Sequence, residues 1–460
     1  MKRLVFCFDG TWNKLSANCP TNVVLLAEMV KPITSDGTAQ IVYYDEGVGT
    51  ARSERIRGGA FGRGMMTNIR EAYRFLIFNY EPGDHIFAFG FSRGAFTARS
   101  FVSFIRHAGI LNVSSAKEIE KAIELYKAVE AGGADDTPEA LKFRADHCSQ
   151  ICVSDLDKHW RIGNRSERQW EDTQVLQIKY VGVWDTVAAL GVPEFVPFAT
   201  RINRKFKFHD AKLTSKVQAA RHAVAIDERR VLFEPVVWDN VGKLNAQFGK
   251  SIYAPDAPYQ QKWFPGVHGS VGGGGSVRGL SDAALHWVLK GAKQQGLEIR
   301  NNPEARAFDI APDHRAALRN DPDLPWHDRG IIGAAKRAML STDRVGPSDV
   351  ATVSSIARRR WNTPADELPE KKLYRPPTLK EVADKMLSLL SEPHKPDDGW
   401  IIHIVVAGDT LSKLAAHYLG DAERWSEIFE ANRDQLDDPD DLFVGMKLRM
   451  PKIPPSSHPN

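Results

Sequence analysis

The sequence predicts an α/β fold built on a mainly parallel sheet, with a helical insertion and a small separate unit at its C-terminal end. Three observations carry that prediction. Short apolar runs bounded by turn residues alternate with helical patterns through about residue 300. A polar stretch from about 110 to 172 interrupts the alternation between the third and fourth strands. Beyond a connection rich in Pro and Asp at 391–399, residues 402–451 carry strand and helix signals of their own.

Taken in order, Leu4–Phe8 is an apolar run and reads as the first strand. The segment from Met1 imitates a secretory leader for a few residues. Asp9 interrupts it before the roughly 7–15 apolar residues such a leader needs, and no small-residue cleavage pattern follows. Synthesis in the cytoplasm without a signal peptide is therefore expected. Further strands are expected at Ile41–Tyr44, His85–Phe91, Gln177–Val183 and in a segment ending near Val267. Helices are expected at Met65–Phe78, Ala95–His107 and Ser281–Gln295. No apolar run approaches the ~20 residues of a membrane helix.

The insertion at about 110–172 contains helix-like segments such as Ala116–Glu130 and reads either as a lid or as a passive helical addition. Residues 300–375 are rich in Pro, Asp and Arg, with a short apolar patch at Ile331–Leu340, and are assigned to the same domain, which spans 1–370. A helix and linker occupy 371–400, the helix opened by a capping box of Thr378 and Glu381. The C-terminal module spans 401–452, before a disordered tail at 453–460. Ile402–Val406 alternates as a strand. Leu411, Leu414, Ala415 and Tyr418 share one helix face, Trp425, Ile428 and Phe429 repeat the pattern, and Met446–Met450 closes a β-α-α-β unit.

Composition narrows the partners. Lys and Arg total 61 against 58 Asp and Glu, a net charge of +3, which gives no electrostatic case for nucleic acid. Four cysteines do not make a disulfide framework. Cys148, Cys152, His147 and His159 lack any zinc-ligand spacing, so no metal is assigned.

The strongest chemical signal lies between His85 and Arg99. An apolar strand, Ile86-Phe87-Ala88-Phe89, runs into Gly90-Phe91-Ser92-Arg93-Gly94, and a helical pattern follows from Ala95. Glycine two residues before and after a serine is what a nucleophile elbow needs, because a Cβ at either flank would collide with the neighbouring strand or helix. The alternative is a Gly-rich turn with a capping serine. A serine needs an oriented base, and in the α/β-hydrolase fold the order is Ser, then Asp or Glu, then His. Asp185 follows the apolar run Val181-Gly182-Val183-Trp184, and His268 lies in a Gly-flanked loop after Trp263-Phe264. An N-cap role for Asp185 and an ordinary loop role for His268 are the plainer readings. His222 and His286 are weaker candidates for the base, both placed in helical patterns.

Oxyanion donors are expected from the backbone of Arg93 and of the loop Asp9-Gly10-Thr11. The Gly-rich segments at 45–49 and 58–64 match neither a P-loop nor a dinucleotide fingerprint and read as loops beside the pocket. Arg201, Arg204, Lys205 and Lys207 would suit an anionic head group, or simply a solvated face.

Four segments in order, Phe8-Asp9-Gly10-Thr11-Trp12-Asn13, Gly90 through Arg99, Val181 through Thr186 and Trp263 through His268, resemble the catalytic domain of type VI secretion phospholipase effectors. The resemblance covers about residues 1–300. It implies an α/β-hydrolase fold, hydrolysis of phospholipid acyl esters and a triad that maps onto Ser92, Asp185 and His268. It also implies secretion into target cells by a type VI system and an immunity protein as a partner. Relatives usually carry Ser-Asp after the histidine, whereas this chain has Gly269-Ser270. The C-terminal module resembles LysM through Val406-Ala-Gly-Asp-Thr-Leu411, Asn432 and Gly445 through Pro451, which implies binding to peptidoglycan-type glycans or docking to a secretion-apparatus protein. The expectation is a serine phospholipase without metal or organic cofactor. A general esterase and a non-catalytic scaffold acting through the module stand as alternatives.

Overall fold

The computed structural model describes residues 1–10, 17–47, 60–130, 136–164, 173–187, 212–300 apart from 253 and 255, 310–320, 341–386, and 400–451 apart from short stretches at 407–408 and within 433–445. Residues 48–49 and 58–59 of the two Gly-rich segments, the basic residues Arg201, Arg204, Lys205 and Lys207, the patch Ile331–Leu340, Thr11 and the tail lie outside the described residues.

Six parallel strands form one sheet: β1 (Arg3–Phe8), β2 (Gln40–Asp45), β3 (His85–Phe91), β4 (Ile178–Trp184), β5 (Val217–Ala225) and β6 (Tyr259–Phe264). They lie side by side in the order β2-β1-β3-β4-β5-β6. The crossovers carry α1 (Asn22–Met29), α2 (Ala60–Asn79), α3 (Arg93–Ala108), then α4 (Ile119–Glu130), α5 (Pro138–His147) and α6 (Asp155–Asn164), and later α7 (Val241–Ala246). After β6 come α8 (His268–Gly272), α9 (Gly279–Gln294) and α10 (Ser355–Trp361). The expected α/β architecture is therefore present.

A parallel sheet covered on both faces needs apolar side chains on both, so its strands read as continuous apolar runs. β1 is RLVFCF and buried throughout. Leu4, Phe6 and Phe8 join one apolar layer with α2, α3 and α4, while Val5 and Cys7 join the opposite layer with α1 and α9. β5 is the strand that sequence reading missed. Its run, VQAARHAVA, contains polar residues, yet it is buried almost end to end. This corrects the placement of His222, which lies in a strand and not in a helix. Burial is tolerated because Arg221 donates to the Trp287 carbonyl, while His222 accepts from the Thr186 N–H and contacts Gln261.

The insertion buttresses α3. Arg144 donates to the carbonyl of His107, and Cys148 to that of Ala108, both at the C-terminal end of α3. Ser92 sits at the other end of this 16-residue helix, about 24 Å away at helical rise. The described part of the insertion thus stands at the end of α3 farthest from Ser92. Cys148 and Cys152 are buried, while His147 bonds Ser115 and His159 its own helix backbone.

A third apolar layer joins Val224, Ile226 and Trp263 to Val353, Ala357, Trp361, Tyr374, Leu379 and Met386. The expected boundary at residue 370 falls inside this layer. The Thr378–Glu381 capping box does not form. Thr378 lies within a one-turn helix, Pro377–Leu379, and its hydroxyl donates to the Ile226 carbonyl instead.

The C-terminal module pairs β7 (Ile401–Ile404) with β8 (Lys447–Met450) antiparallel, around α11 (Leu411–Leu419) and α12 (Trp425–Ala431). Its core is its own: Val405, Leu411, Leu414, Ala415, Ile428, Phe429 and Leu448 pack together. Buried Asn432 accepts from the Arg449 N–H and donates to the Arg449 carbonyl, tying α12 to β8.

Candidate active site

Ligands of an open α/β sheet bind at the carboxyl edge of its strands, near the point where strand order reverses. Here that point lies between β1 and β3, and Ser92 immediately follows β3. Ser92 has φ 60 and ψ −125, a conformation costly for a side chain with a Cβ, and it leads directly into α3. Three backbone bonds hold it there: its N–H donates to the Trp184 carbonyl, and its carbonyl accepts from the N–H groups of Phe96 and Val187. The flanking glycines are needed on contact grounds. A Cβ on Gly94 would stand 2.2 Å from the Phe8 carbonyl oxygen.

Asp185 follows β4 with φ 38 and is fully buried. His268 opens α8, a short helix pressed so closely on β3 that a Cβ on Gly272 would stand 1.9 Å from the Phe91 ring. The imidazole is held between the Phe91 ring, at 4.6 Å, and the Phe233 ring, at 4.8 Å. Its Nε2 lies 2.7 Å from Ser92 Oγ and its Nδ1 2.5 Å from Asp185 Oδ2. The three side chains named from sequence therefore meet in one hydrogen-bonded line. His222 lies in the core with both ring nitrogens engaged elsewhere, and burial together with the Arg99 charge pulls its pKa down to about 3.

Two groups beside the line were not seen in the sequence. Arg344 places Nη1 2.7 Å from Asp185 Oδ1 and Nη2 3.0 Å from Oδ2. Glu228 accepts from the His268 N–H and is paired with Arg230. Burial opposes ionisation of Asp185, but the Arg344 charge and the His268 bond outweigh it and hold the carboxyl far below the usual range. Neither group has a local signal. Arg344 sits in a stretch without apolar periodicity.

The loop after β1 lies against the elbow. Asp9 is buried and accepts from the hydroxyls of Thr21 and Tyr44, and from the Gly10 N–H at 2.6 Å. Gly10, expected as an oxyanion donor, thus has its N–H directed to Asp9. Arg93 is the first residue of α3, where N–H groups lack intrahelical acceptors. Gly269 and Ser270 have local reasons. A Cβ on Gly269 would meet the Asn320 side chain at 2.7 Å, and the Ser270 hydroxyl donates to the Leu318 carbonyl.

Chemically, such a line can move a proton from a serine hydroxyl onto imidazole and balance the resulting cation with a carboxylate.

Comparison with known proteins finds a family match for most of the chain. Residues 2–291 match the family described as T6SS, phospholipase effector Tle1-like, catalytic domain, and residues 403–451 match the LysM domain. The uncharacterized protein YEL023C of Saccharomyces cerevisiae is 27% identical over 248 residues, covering 51% of this chain and 32% of that protein. The potassium binding protein Kbp of Escherichia coli is 40% identical over 50 residues, 11% of this chain and 34% of its own. The chain thus spans about a third of the length of these curated relatives. Among solved structures, the Tle1 effector bound to the VgrG spike of the type 6 secretion system aligns with TM-score 0.30 and 19% identity, covering 59% of this chain and 51% of that one. An uncharacterized protein from Pseudomonas aeruginosa aligns with TM-score 0.35 and 14% identity, covering 97% and 65%. Among the described residues, no helix is long and apolar enough to cross a membrane.

Proposed function

The chain belongs to the family of T6SS Tle1-like phospholipase effector catalytic domains, and on that premise we propose that it is a serine hydrolase of phospholipid acyl esters. The observation that carries this reading is the unbroken line from Ser92 Oγ through His268 to Asp185, at 2.7 and 2.5 Å.

In this reading His268 Nε2 takes the Ser92 proton as Oγ attacks the ester carbonyl. The oxyanion of the tetrahedral intermediate is met by the Arg93 N–H at the positive end of α3, with Thr11 the expected second donor, since the Gly10 N–H is taken by Asp9. The imidazolium, balanced by Asp185, then protonates the departing alcohol and leaves an acyl-serine. Water, deprotonated by His268, attacks the acyl carbon, the acyl–Oγ bond breaks, and the imidazolium returns its proton to Ser92 Oγ as the fatty acid leaves.

The LysM module is assigned to peptidoglycan or to docking on a delivery protein, and delivery by a type VI system and an immunity partner are inferred from the family. The test is hydrolysis of phospholipid vesicles, with the products identified by mass, by the wild type and Ser92→Ala. Fatty acid and lysolipid from the wild type alone are expected. Equal release by the serine variant overturns the mechanism. Turnover of soluble esters without vesicle hydrolysis overturns the substrate class.

A further inference from the structure

The Asp185 carboxylate is saturated. Oδ1 accepts from the Ala225 N–H at 2.8 Å and from Arg344 Nη1 at 2.7 Å. Oδ2 accepts from Arg344 Nη2 at 3.0 Å and from His268 Nδ1 at 2.5 Å. Arg344 is itself buried, and Nη1 also donates to the Ala225 carbonyl at 2.7 Å. The fork therefore grips both the carboxylate and the strand end behind it.

The segment that supplies Arg344 is pinned on two sides. Ser341 bridges Arg230, and the Thr342 N–H donates to the Arg229 carbonyl. On the other side a Cβ on Gly346 would stand 1.6 Å from the carbonyl oxygen of Thr378, whose hydroxyl is bonded to Ile226 at the end of β5. Arg344 is thus presented by fixed backbone, as a positioning contact requires.

We propose that Arg344, supplied from outside the matched region 2–291, positions the Asp185 carboxylate for His268, so that the segment 341–386 is a working part of the catalytic site. The inference rests on the reading of Ser92, His268 and Asp185 as a triad. A two-pronged guanidinium fixes the plane of a carboxylate, which a point charge does not. With that plane fixed, Oδ2 stays aimed at Nδ1 and Nε2 stays aimed at Ser92. The positive charge of Arg344 also opposes gain of a proton by the His268–Asp185 pair. The other titratable and charged groups acting on the pair or on Arg344 are Glu228, with its partner Arg230, Glu234, and the buried imidazole of His222.

The test is the pH profile of kcat/KM on a soluble ester for the full chain and for Arg344→Gln, Arg344→Lys and Ser92→Ala. Arg344→Gln should lower kcat/KM about 10²-fold, the scale of a misplaced catalytic group, with KM unchanged. Its acid limb should move to higher pH by about one unit, because a positive charge has left the proton-binding pair. Arg344→Lys keeps a positive charge opposite Asp185 and should fold. It should lose part of the rate without moving the acid limb, since the charge stays and the fork is gone. A purely structural role would leave the limb in place in both variants. Wild-type kcat/KM in Arg344→Lys overturns the positioning role, even if Arg344→Gln fails to fold. An unmoved limb in a folded Arg344→Gln does the same. Should Ser92→Ala keep activity, the triad reading itself falls. If Ser92→Ala is inactive and both arginine variants match the wild type, only this inference falls.

Discussion

A Cβ added to Gly90 would stand 2.4 Å from the carbonyl oxygen of Gly94, so these two glycines touch backbone to backbone across the turn that carries Ser92. No rotamer relieves such a contact, because neither atom belongs to a movable side chain. Gly90→Ala and Gly94→Ala should each destabilise the protein by about 3 kcal/mol or more, the upper range for overpacking. Gly163→Ala in α6 meets nothing within 4 Å and should instead stabilise it by about 0.5 kcal/mol. Thermal melts of the three variants check both directions. Wild-type melting of Gly94→Ala would refute the packing of the elbow.

Ser92→Ala should leave the fold intact and lower turnover about 10⁶-fold. His268→Ala should match it, and the double variant should be little worse, because the line acts as one unit. His286→Ala, altered on α9, should stay near the wild-type rate. A crippled His286→Ala beside an active His268→Ala would reassign the base.

Asp185→Asn should do two things at once. Turnover should fall about 10⁴-fold through the wrong imidazole tautomer. Stability should also fall by about 3–5 kcal/mol, because Arg344 is left buried opposite a neutral amide. Urea unfolding beside kinetics separates the two effects. Wild-type stability would show that the Arg344 charge finds another partner.

Asp227 lies beside the site, accepting from the Gly266 N–H and the Tyr374 hydroxyl through one oxygen. Burial pushes its pKa up to about 6 against the pull of those two bonds. The unfolded chain ionises it near 3.9. Below that value both states are protonated and nothing is lost. As pH rises toward 6 the unfolded state gives up its proton first, so stability falls, and the loss persists above 6. Asp227→Asn keeps the acceptor oxygen and removes the titration. It should exceed the wild type by on the order of 1 kcal/mol at neutral pH and by nothing near pH 3. Urea midpoints at the two pH values decide the matter, and equal differences at both would exclude titration of Asp227 as the cause.

Much of the site was legible because its signals are local. Gly90 and Gly94 flank the serine in sequence and in space, while Asp185 follows the apolar strand β4 and His268 follows the apolar end, Trp263-Phe264, of β6, in the order the fold uses. β5 was illegible because a strand carrying Gln218, Arg221 and His222 looks solvated. Its burial depends on the Thr186 N–H just past β4, on Gln261 in β6 and on the Trp287 carbonyl in α9, partners that only the fold brings near. Arg344 was illegible for the same reason, since its contact with Asp185 spans 159 residues. Thr378 and Glu381 show the converse failure, a correct local pattern overridden by an acceptor 152 residues away.

The module and the 341–386 segment should behave oppositely on truncation. The apolar core of the module draws on residues 405–450 alone, so few core contacts should be lost by cutting before it. A chain ending near Ser391 should fold and turn over soluble esters at close to the full rate. A chain ending near Arg300 keeps Ser92, Asp185 and His268, yet it loses Arg344 and uncovers Val224, Ile226 and Trp263. That chain should be inactive or insoluble. What the first truncation should lose is retention on purified peptidoglycan or on a delivery protein, because a tethered module raises effective concentration without touching the active site. Pull-down with sacculi, run beside ester hydrolysis for both truncations, reads the two properties separately. Equal retention with and without the module would exclude glycan anchoring. Full activity in the chain ending near Arg300 would show that the catalytic unit closes without Arg344.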